Sequence, residues 1–345
     1  MKVFLVFAAL FSFVYYASSA QTTPRSIGNY SVFTIPFDGD SVTFAVTTPP
    51  GKLLQKKPIF LFRQGSLPIP LFEQPTDRPP VLIQLPAACY AHDEYYSITI
   101  AKPGLPLVVN SAYVDTLFST LNNPKAEMYP KKYMECNYLD YYVRQTNAVL
   151  DFVLKQPWAD PSKVVLTGGS EGYHVAIKTA SQNKQVTHLI AFSGNLEGRL
   201  QSIIRAERAK AFAGQTSHEE AQRSIEALQQ EWAEICRDSL GTERKLGDNY
   251  RTTYSFSNGD GLDHLLSLQI PICILYGTAD VGATSNDILP LEFARRGKKN
   301  LTLKAYPSHD HTFFKLTYDA AGKVSQKTYN GDAVEKDYFD WLAKH

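Results

Sequence analysis

From residue 138 onward, segments of helical periodicity alternate with short apolar runs of strand length. Apolar residues recur at helical spacing over 138–156 until Pro157 ends the helix, and the β-branched run 163–167 follows. The alternation continues with helix 172–182, strand 186–193, strand 271–277, helix 286–296, strand 301–306 and helix 332–344. Strands joined through helices run parallel, with helices on both faces of the sheet. The sequence therefore predicts an α/β fold with a mostly parallel central sheet.

The N-terminal part adds strands to this sheet. Residues 30–37 and 42–47 are predicted to form a hairpin around Asp38-Gly39-Asp40. The run 58–62 is wholly apolar, which is typical of a strand buried on both faces, and 97–101 is predicted to be a similar strand. The intervening stretch 66–94 is rich in proline and is predicted to be a loop.

Residues 197–250 interrupt the alternation and are predicted to contain helices and no strand. Ser217 and Glu220 form a capping box, and an apolar helical face follows that ends near Trp232. We expect this stretch to be a helical cap insertion over the strand ends that selects the substrate, with Trp232 contributing to that selection.

The first 20 residues are predicted to be a signal peptide. One lysine precedes an apolar run of about 15 residues, shorter than the ~20 that a membrane span needs, and small residues follow. We therefore expect residues 21–345 to be secreted or periplasmic, with no integral membrane span. Lys and Arg number 35 against 34 Asp and Glu, without blocks of like charge, which argues against a nucleic-acid partner. The oligomeric state stays open.

The four cysteines are too few for a disulfide scaffold, and no CxxC or His-rich pair indicates a metal site or another cofactor. Cys89 and Cys136 are candidates for one disulfide bond. Cys273 lies within an apolar strand and is predicted to be a buried thiol.

The stretch 164–172 reads VVLTGGSEG. It could be a strand followed by a flexible turn, or a sharp strand-to-helix turn that exposes Ser170 as a nucleophile, with Gly168 and Gly172 where no Cβ fits. A serine hydroxyl needs a base and a group that orients the base. Asp280 follows strand 271–277, and His309 and His311 follow strand 301–306, so both partners are predicted at the same edge of the sheet.

This order of strand, serine, acid and histidine resembles the α/β-hydrolases. The resemblance implies that Ser170 is the nucleophile, Asp280 the carboxylate and His311 the base, since Asp310-His311-Thr312-Phe313 matches the family's Asp-His-x-Phe ending; His309 is the alternative base. It also implies an oxyanion hole formed by the backbone N–H groups of Glu171 and Ser66. Gln64 replaces a histidine that is common in the family.

Three functions remain open from the sequence. We favour a serine hydrolase of carboxylic esters, because too few residues precede strand 30–37 for the propeller of prolyl oligopeptidase-type peptidases. An aminopeptidase-like enzyme, in which Glu197 would hold a substrate amine, is the first alternative; a non-catalytic binding protein on the same fold is the second. The expected partner is a small-molecule or peptide acyl substrate. Tyr173 is expected to narrow the pocket, and His174 to be structural.

Overall fold

The computed structural model describes residues 23–49, 51–83, 93–119, 129–242, 244–246 and 248–345. Its strands are β1 (Arg25–Ile27), β2 (Tyr30–Phe37), β3 (Asp40–Val46), β4 (Lys57–Arg63), β5 (Phe72–Gln74), β6 (Val81–Leu82), β7 (Tyr96–Ile100), β8 (Val108–Asn110), β9 (Ala159–Gly169), β10 (His188–Phe192), β11 (Arg244–Leu246), β12 (Asp248–Asn249), β13 (Ile272–Gly277), β14 (Leu301–Tyr306), β15 (Phe314–Tyr318) and β16 (Val324–Tyr329).

The helices of the described residues are α1 (Ser111–Ser119), α2 (Lys131–Cys136), α3 (Leu139–Val153), α4 (Glu171–Gln182), α5 (Arg199–Phe212), α6 (His218–Arg237), α7 (Tyr250–Ser255), α8 (Gly261–Ser267), α9 (Ala283–Asp287), α10 (Leu289–Arg295) and α11 (Gly331–Leu342). Residues 1–20 and Cys89 lie outside the described residues, so the predicted signal peptide and the disulfide candidate are not described. Within the described ranges, every helix is too short or too polar to cross a bilayer.

Nine strands form the central sheet in the order β1-β2-β3-β7-β4-β9-β10-β13-β14. The first three are antiparallel, and the six strands from β7 to β14 are parallel. The crossover helices between these strands account for the parallel direction, because a parallel neighbour needs a return connection across the sheet. The predicted α/β fold with a mostly parallel sheet is confirmed.

Helices cover both faces of this sheet. Along β9, Val164 and Leu166 pack into one buried cluster with α3, α4, α8 and α10, whereas Val165 packs into a second cluster with α11. All three valine and leucine side chains are fully buried. This explains why the run 164–166 is continuously apolar rather than alternating, since both of its faces lie in a core.

Three small sheets were not predicted. Strands β6, β5 and β8 form one of them, within and after the proline-rich stretch, and the hairpin β15–β16 follows the histidine loop. The pair β11–β12 lies in 197–250, so the prediction of no strand there was wrong. The strands of these small sheets have two to six residues each, and every residue of β16 is exposed. Such short or exposed strands carry little of the apolar pattern that marks a buried strand.

Helices α5 and α6 make up most of the stretch 197–250. The capping box of α6 is formed, with Glu220 N donating to Ser217 Oγ at 3.0 Å and Ser217 N donating to Glu220 Oε2 at 3.1 Å. Trp232 is half-buried and stacks on Tyr254 of α7, with ring centroids 5.7 Å apart. Trp232 therefore joins α6 to α7.

Replacing Trp232 with alanine is expected to lower the free energy of unfolding by about 2 kcal/mol, less than for a fully buried tryptophan because part of the ring is already in water. Urea denaturation measures this loss. Leu240→Ala is the control, because Leu240 is 75% exposed, and its effect should stay below about 0.5 kcal/mol. Equal losses in the two variants would show that the stacking on Tyr254 does not stabilise the fold.

Among the described cysteines, Cys136, Cys236 and Cys273 are free thiols. Cys273 is buried in β13 of the central sheet, as its position in an apolar strand predicted. Burial raises the pKa of its thiol to about 12, so Cys273 stays protonated and unreactive at neutral pH.

Candidate active site

Ser170 lies between the end of β9 and the start of α4. Its backbone has φ 57° and ψ −118°, a strained conformation for a residue with a side chain. The surrounding hydrogen bonds hold this turn, because Ser170 N donates to Phe192 O at 3.0 Å and Tyr173 N donates to Ser170 O at 3.1 Å. The strained turn is the sharp strand-to-helix elbow that the glycine pattern predicted.

The glycines on either side of Ser170 allow the chain to turn this sharply. A Cβ on Gly168 would lie 2.0 Å from the carbonyl oxygen of Gly172, and a Cβ on Gly172 would lie 2.2 Å from that of Arg63. Neither approach is possible for any larger residue, since both obstacles are backbone atoms. The strand, the elbow and the helix can pack this closely only with glycine at both positions.

The structure brings Ser170, His311 and Asp280 into one hydrogen-bonded chain. His311 Nε2 is 3.1 Å from Ser170 Oγ, and His311 Nδ1 is 2.7 Å from Asp280 Oδ2. The Asp280 side chain is 6% exposed, whereas that of His311 is 49% exposed. A buried carboxylate thus fixes one ring nitrogen, and the other ring nitrogen faces the serine hydroxyl at the edge of an open cavity.

The acid loop after β13 and the histidine loop after β14 are joined to each other. Ala279 N donates to His309 O at 2.9 Å, and Ser308 N donates to Thr278 Oγ1 at 2.9 Å. Phe313 is buried beyond His311 and packs against Tyr306 and Phe192. The distance between Asp280 and His311 is therefore set by backbone contacts rather than by the two side chains alone.

Two opposing effects set the pKa of His311. Burial of the ring disfavours the imidazolium and lowers the pKa, but the hydrogen bond and negative charge of Asp280, together with the charge of Asp310, outweigh it. The net pKa of His311 is raised above its ordinary value of 6.5. The imidazole that could accept a proton from Ser170 therefore becomes charged at a higher pH than a free histidine would.

His309 does not reach Ser170. It is 5% exposed, its Nε2 accepts from Asn330 Nδ2 at 2.9 Å, and its Nδ1 donates to Pro307 O at 2.8 Å. His309, the alternative base in the sequence analysis, therefore makes its contacts away from Ser170. With both nitrogens occupied inside the fold, His309 supports the histidine loop.

Both predicted oxyanion donors border the same cavity as Ser170. Glu171 is the first residue of α4, where backbone N–H groups have no acceptor within the helix. Ser66 belongs to the loop after β4, and the neighbouring Gly65 is so close to the elbow that a Cβ there would lie 3.2 Å from that of Ser170. This loop is fixed by Tyr133 Oη, which donates to Ser66 O at 2.6 Å.

Gln64 has a structural role in this loop. Its side chain is 5% exposed, and its Nε2 donates to Ile100 O at 2.7 Å. The amide thus ties the loop after β4 to the end of β7.

The cavity above Ser170 has a volume of about 300 Å³ and is lined mostly by polar side chains. Arg199 and Asp248 form an ion pair on its wall, and both come from the stretch 197–250. Phe256 and Val281 are the large apolar side chains on the lining. The stretch thus contributes polar groups to the site that the sequence analysis did not single out, because one arginine and one aspartate in a polar region carry no distinguishing pattern.

The expectation that Tyr173 narrows the pocket was wrong. Tyr173 is fully buried, its Oη donates to Asn286 Oδ1 at 3.1 Å, and it lies behind the cavity rather than in it. His174, which was expected to be only structural, lines the cavity, and burial lowers its pKa to about 4. It is therefore a neutral polar group beside the substrate space. Trp232 is outside the lining.

Glu197 is not free to bind an amine. One of its carboxylate oxygens pairs with Arg205 and the other accepts from Ser285 Oγ at 2.8 Å. Arg205 also donates to Thr284 Oγ1 at 2.8 Å. These contacts join α5 to the start of α9 beside the acid loop, so Glu197 links the two segments.

Solved structures that resemble this protein have the α/β-hydrolase fold. An α/β-hydrolase from Penicillium sp. sh18 matches with a TM-score of 0.52 and 13% identity, covering 92% of this chain and 98% of its own. A protein assigned as a dienelactone hydrolase from Klebsiella pneumoniae matches with a TM-score of 0.53 and 13% identity, covering 91% of this chain and 96% of its own.

The fold also resembles part of larger peptidases. A protein assigned as a dipeptidyl aminopeptidase IV from Bacteroides ovatus matches with a TM-score of 0.52 and 11% identity, covering 92% of this chain but 36% of its own, so this chain spans about a third of that protein. No protein-family model and no curated protein matches the sequence. The protein has the α/β-hydrolase fold, as the resemblance implied.

Proposed function

We propose that this protein is a serine hydrolase that cleaves carboxylic esters. The observation that carries the proposal is the continuous contact from Asp280 through His311 to Ser170, with distances of 2.7 and 3.1 Å. Nucleophilic catalysis by serine needs this arrangement of nucleophile, base and orienting carboxylate. A non-catalytic role is less well supported, because all three side chains are present and in contact.

In the proposed reaction, Ser170 Oγ attacks the ester carbonyl while His311 Nε2 takes its proton. Asp280 holds the imidazole in the tautomer that leaves Nε2 free and stabilises the imidazolium that forms. The backbone N–H groups of Glu171 and Ser66 would stabilise the negative oxygen of the tetrahedral intermediate. His311 then protonates the leaving alcohol, and water attacks the acyl-serine in the second half of the reaction.

The cavity favours an ester with short substituents. Its volume of about 300 Å³ lies at the lower end for ligand sites, and Arg199, Asp248 and Ser202 line it where a long acyl chain would need apolar surface. Peptide hydrolysis is the alternative, since the fold resembles part of a peptidase, and the experiment below therefore includes peptidase substrates. The pairing of Glu197 with Arg205 and Ser285 weakens the aminopeptidase alternative.

Turnover of p-nitrophenyl esters of increasing acyl length, measured beside aminoacyl p-nitroanilides, tests this proposal. We expect hydrolysis of the acetyl and butyryl esters, with kcat/KM at least about tenfold lower for long-chain esters. Little p-nitroaniline should be released from the aminoacyl anilides. Protein labelled beforehand with a fluorophosphonate is the control and should be inactive. Turnover of the anilides alone would identify a peptidase instead, and no labelling and no turnover would contradict a hydrolase.

Two further parts of the proposal rest on the sequence and on the cavity lining. We propose that residues 1–20 direct export of the chain, since they combine a lysine, an apolar run and small residues. We also propose that the stretch 197–250 acts as a cap that selects the substrate, since Arg199, Ser202 and Asp248 border the cavity.

A further inference from the structure

Three buried charged side chains lie behind the proposed oxyanion hole: Arg63, Lys102 and Glu171, here called the buried cluster. Arg63 is the last residue of β4, Lys102 follows the end of β7, and Glu171 is the first residue of α4. The side chains of Lys102 and Glu171 are 2% and 9% exposed, with Lys102 Nζ 3.5 Å from Glu171 Oε1. The cluster therefore joins the helix that starts at the nucleophile to the two neighbouring strands.

Arg63 and Lys102 are packed against aromatic rings and are almost inaccessible to solvent. Arg63 and Lys102 lie over the ring of Tyr142, 5.1 and 5.4 Å from its centroid, and Lys102 also lies 5.5 Å from the ring centroid of Tyr133. Arg63 Nη1 donates to Gln145 Oε1 at 3.1 Å. Among the described residues, Glu171 is the carboxylate within ion-pairing distance of Lys102, whose Nζ makes no hydrogen bond of normal geometry.

Burying an ammonium group in this way costs free energy, and the attraction within a buried ion pair often does not offset that cost. The contacts of Lys102 also connect it to both segments that supply the proposed oxyanion hole. Tyr133 touches Lys102 and also holds Ser66 O, while the carboxylate held by Lys102 belongs to Glu171, whose N–H is the other proposed oxyanion donor. The buried cluster thus contacts both segments that would supply the hole.

We propose that Lys102 is a positioning residue for the oxyanion hole, which holds Glu171 at the start of α4 and offsets the charge of its carboxylate beside the developing oxyanion. This inference rests on the proposed hydrolase function. Two cations and one carboxylate leave the buried cluster with a net charge of one positive unit. Without Lys102, the carboxylate of Glu171 would lose its ion-pairing partner and the net charge of the buried cluster would fall to zero, which would oppose formation of the negative oxygen beside it.

The charge of Lys102 is sensitive to pH. Burial is the main cause that lowers the pKa of its ammonium to about 8, the charge of Arg63 adds to this effect, and Glu171 opposes it. Tyr133 and Tyr142, which face the same ammonium, have pKa values raised well above 10 by burial, so they stay neutral in this range. The positive charge is therefore present below about pH 8 and is lost as the pH rises through that value.

The test measures how fast a fluorophosphonate labels Ser170, which needs no knowledge of the natural substrate. In this step an Oγ–P bond forms, the P–F bond breaks with loss of fluoride, and the serine proton passes to His311. We expect Lys102→Met to slow labelling at pH 7 by at least about tenfold, part of the effect of removing one oxyanion donor. Lys102→Arg should retain most of the rate and remove the decline above about pH 8, because a guanidinium stays charged there.

A double variant and a matched control separate positioning from folding. Lys102→Met/Glu171→Gln should recover most of the lost rate, because the carboxylate without an ion-pairing partner is gone and Arg63 restores the net charge of one positive unit. Lys178→Met is the control. Lys178 lies on α4, as Glu171 does, and is a partly buried lysine paired with the carboxylates of Asp140 and Asp260. Its loss should leave the labelling rate and the pH profile of labelling unchanged. Circular dichroism reports whether each variant folds; if Lys102→Met does not, Lys102→Arg and the double variant decide.

The outcomes distinguish the two proposals. No labelling of the natural protein would overturn the hydrolase function and this inference with it. Labelling of the natural protein, with Lys102→Met reacting at the same rate or with Lys102→Arg keeping the decline above pH 8, would overturn the role of Lys102 alone. A double variant as slow as the single one would show that the charge of Glu171 is not what Lys102 offsets.

Discussion

Replacing Ser170 with alanine is expected to lower the kcat of ester hydrolysis by a factor on the order of 10⁴ or more. The hydroxyl is the proposed site of acylation, and its 3.1 Å contact with His311 Nε2 has no substitute once the oxygen is removed. The fold should persist, because the elbow is held by backbone hydrogen bonds and alanine tolerates the same backbone about as well as serine. Steady-state kinetics and fluorophosphonate labelling, with intact-mass detection, measure the loss.

Ser181→Ala is the control for this change. Ser181 lies on the same helix, and its hydroxyl donates to Lys178 O at 2.8 Å, away from the cavity. Its removal should leave both kcat and labelling within about twofold of the natural protein, as for a surface substitution. Covalent labelling that survives in Ser170→Ala would assign the nucleophile to another residue.

The two histidines of the Ser-His-Asp-His segment are expected to respond very differently to substitution. His311→Ala should lower kcat by about 10³-fold or more, because the proposed base is removed. His309→Ala should cost stability, about 1–3 kcal/mol, because it leaves Asn330 and Pro307 without their buried partner, while kcat falls less than about tenfold. Parallel kinetics and thermal unfolding of the two variants measure this contrast. Loss of turnover in His309→Ala with activity retained in His311→Ala would exchange the two roles.

The same base predicts the acid limb of the pH profile. Protonated His311 cannot accept the serine proton, so kcat/KM should fall as the pH decreases through the pKa of His311, which Asp280 and Asp310 raise above 6.5. In Asp280→Asn that favourable charge is lost, so the limb should move to lower pH while the plateau falls steeply. An acid limb at the same pH in both proteins would mean that another group controls it.

The parallel half of the fold was predictable because its signals are local and strong. The central part of β9 and the whole of β13 are buried on both faces and are rich in apolar residues, and the helices between the strands keep the 3.6-residue period. The position of Ser170 followed from the two glycines, since only their absence of a Cβ allows the elbow. The rule that loops after parallel strands meet at one edge placed Asp280 and both His309 and His311 near Ser170, and the resemblance to the α/β-hydrolases favoured His311 as the base.

The errors concern contacts between segments that are distant in the sequence. His309 is buried by Asn330, and Glu197 is occupied by Arg205 and Ser285. No local pattern carries these pairings, because each partner is a single polar residue in a loop or a helix. The buried charges Arg63 and Lys102 were missed for the same reason: in the sequence each is one basic residue at a strand end, where basic residues are usually solvated.

The position of β14 at the edge of the sheet has a consequence for newly made chains. His311 follows this outermost strand and comes 141 residues after Ser170. At about 5–20 residues per second, the ribosome delivers the histidine roughly 7 to 28 s after the serine. During that interval, and in any fragment that stops short of β14, Ser170 has no base beside it. Under the proposed mechanism, a chain that is still being synthesised is therefore expected to be inert toward esters, with activity expected only after β14 has joined the sheet.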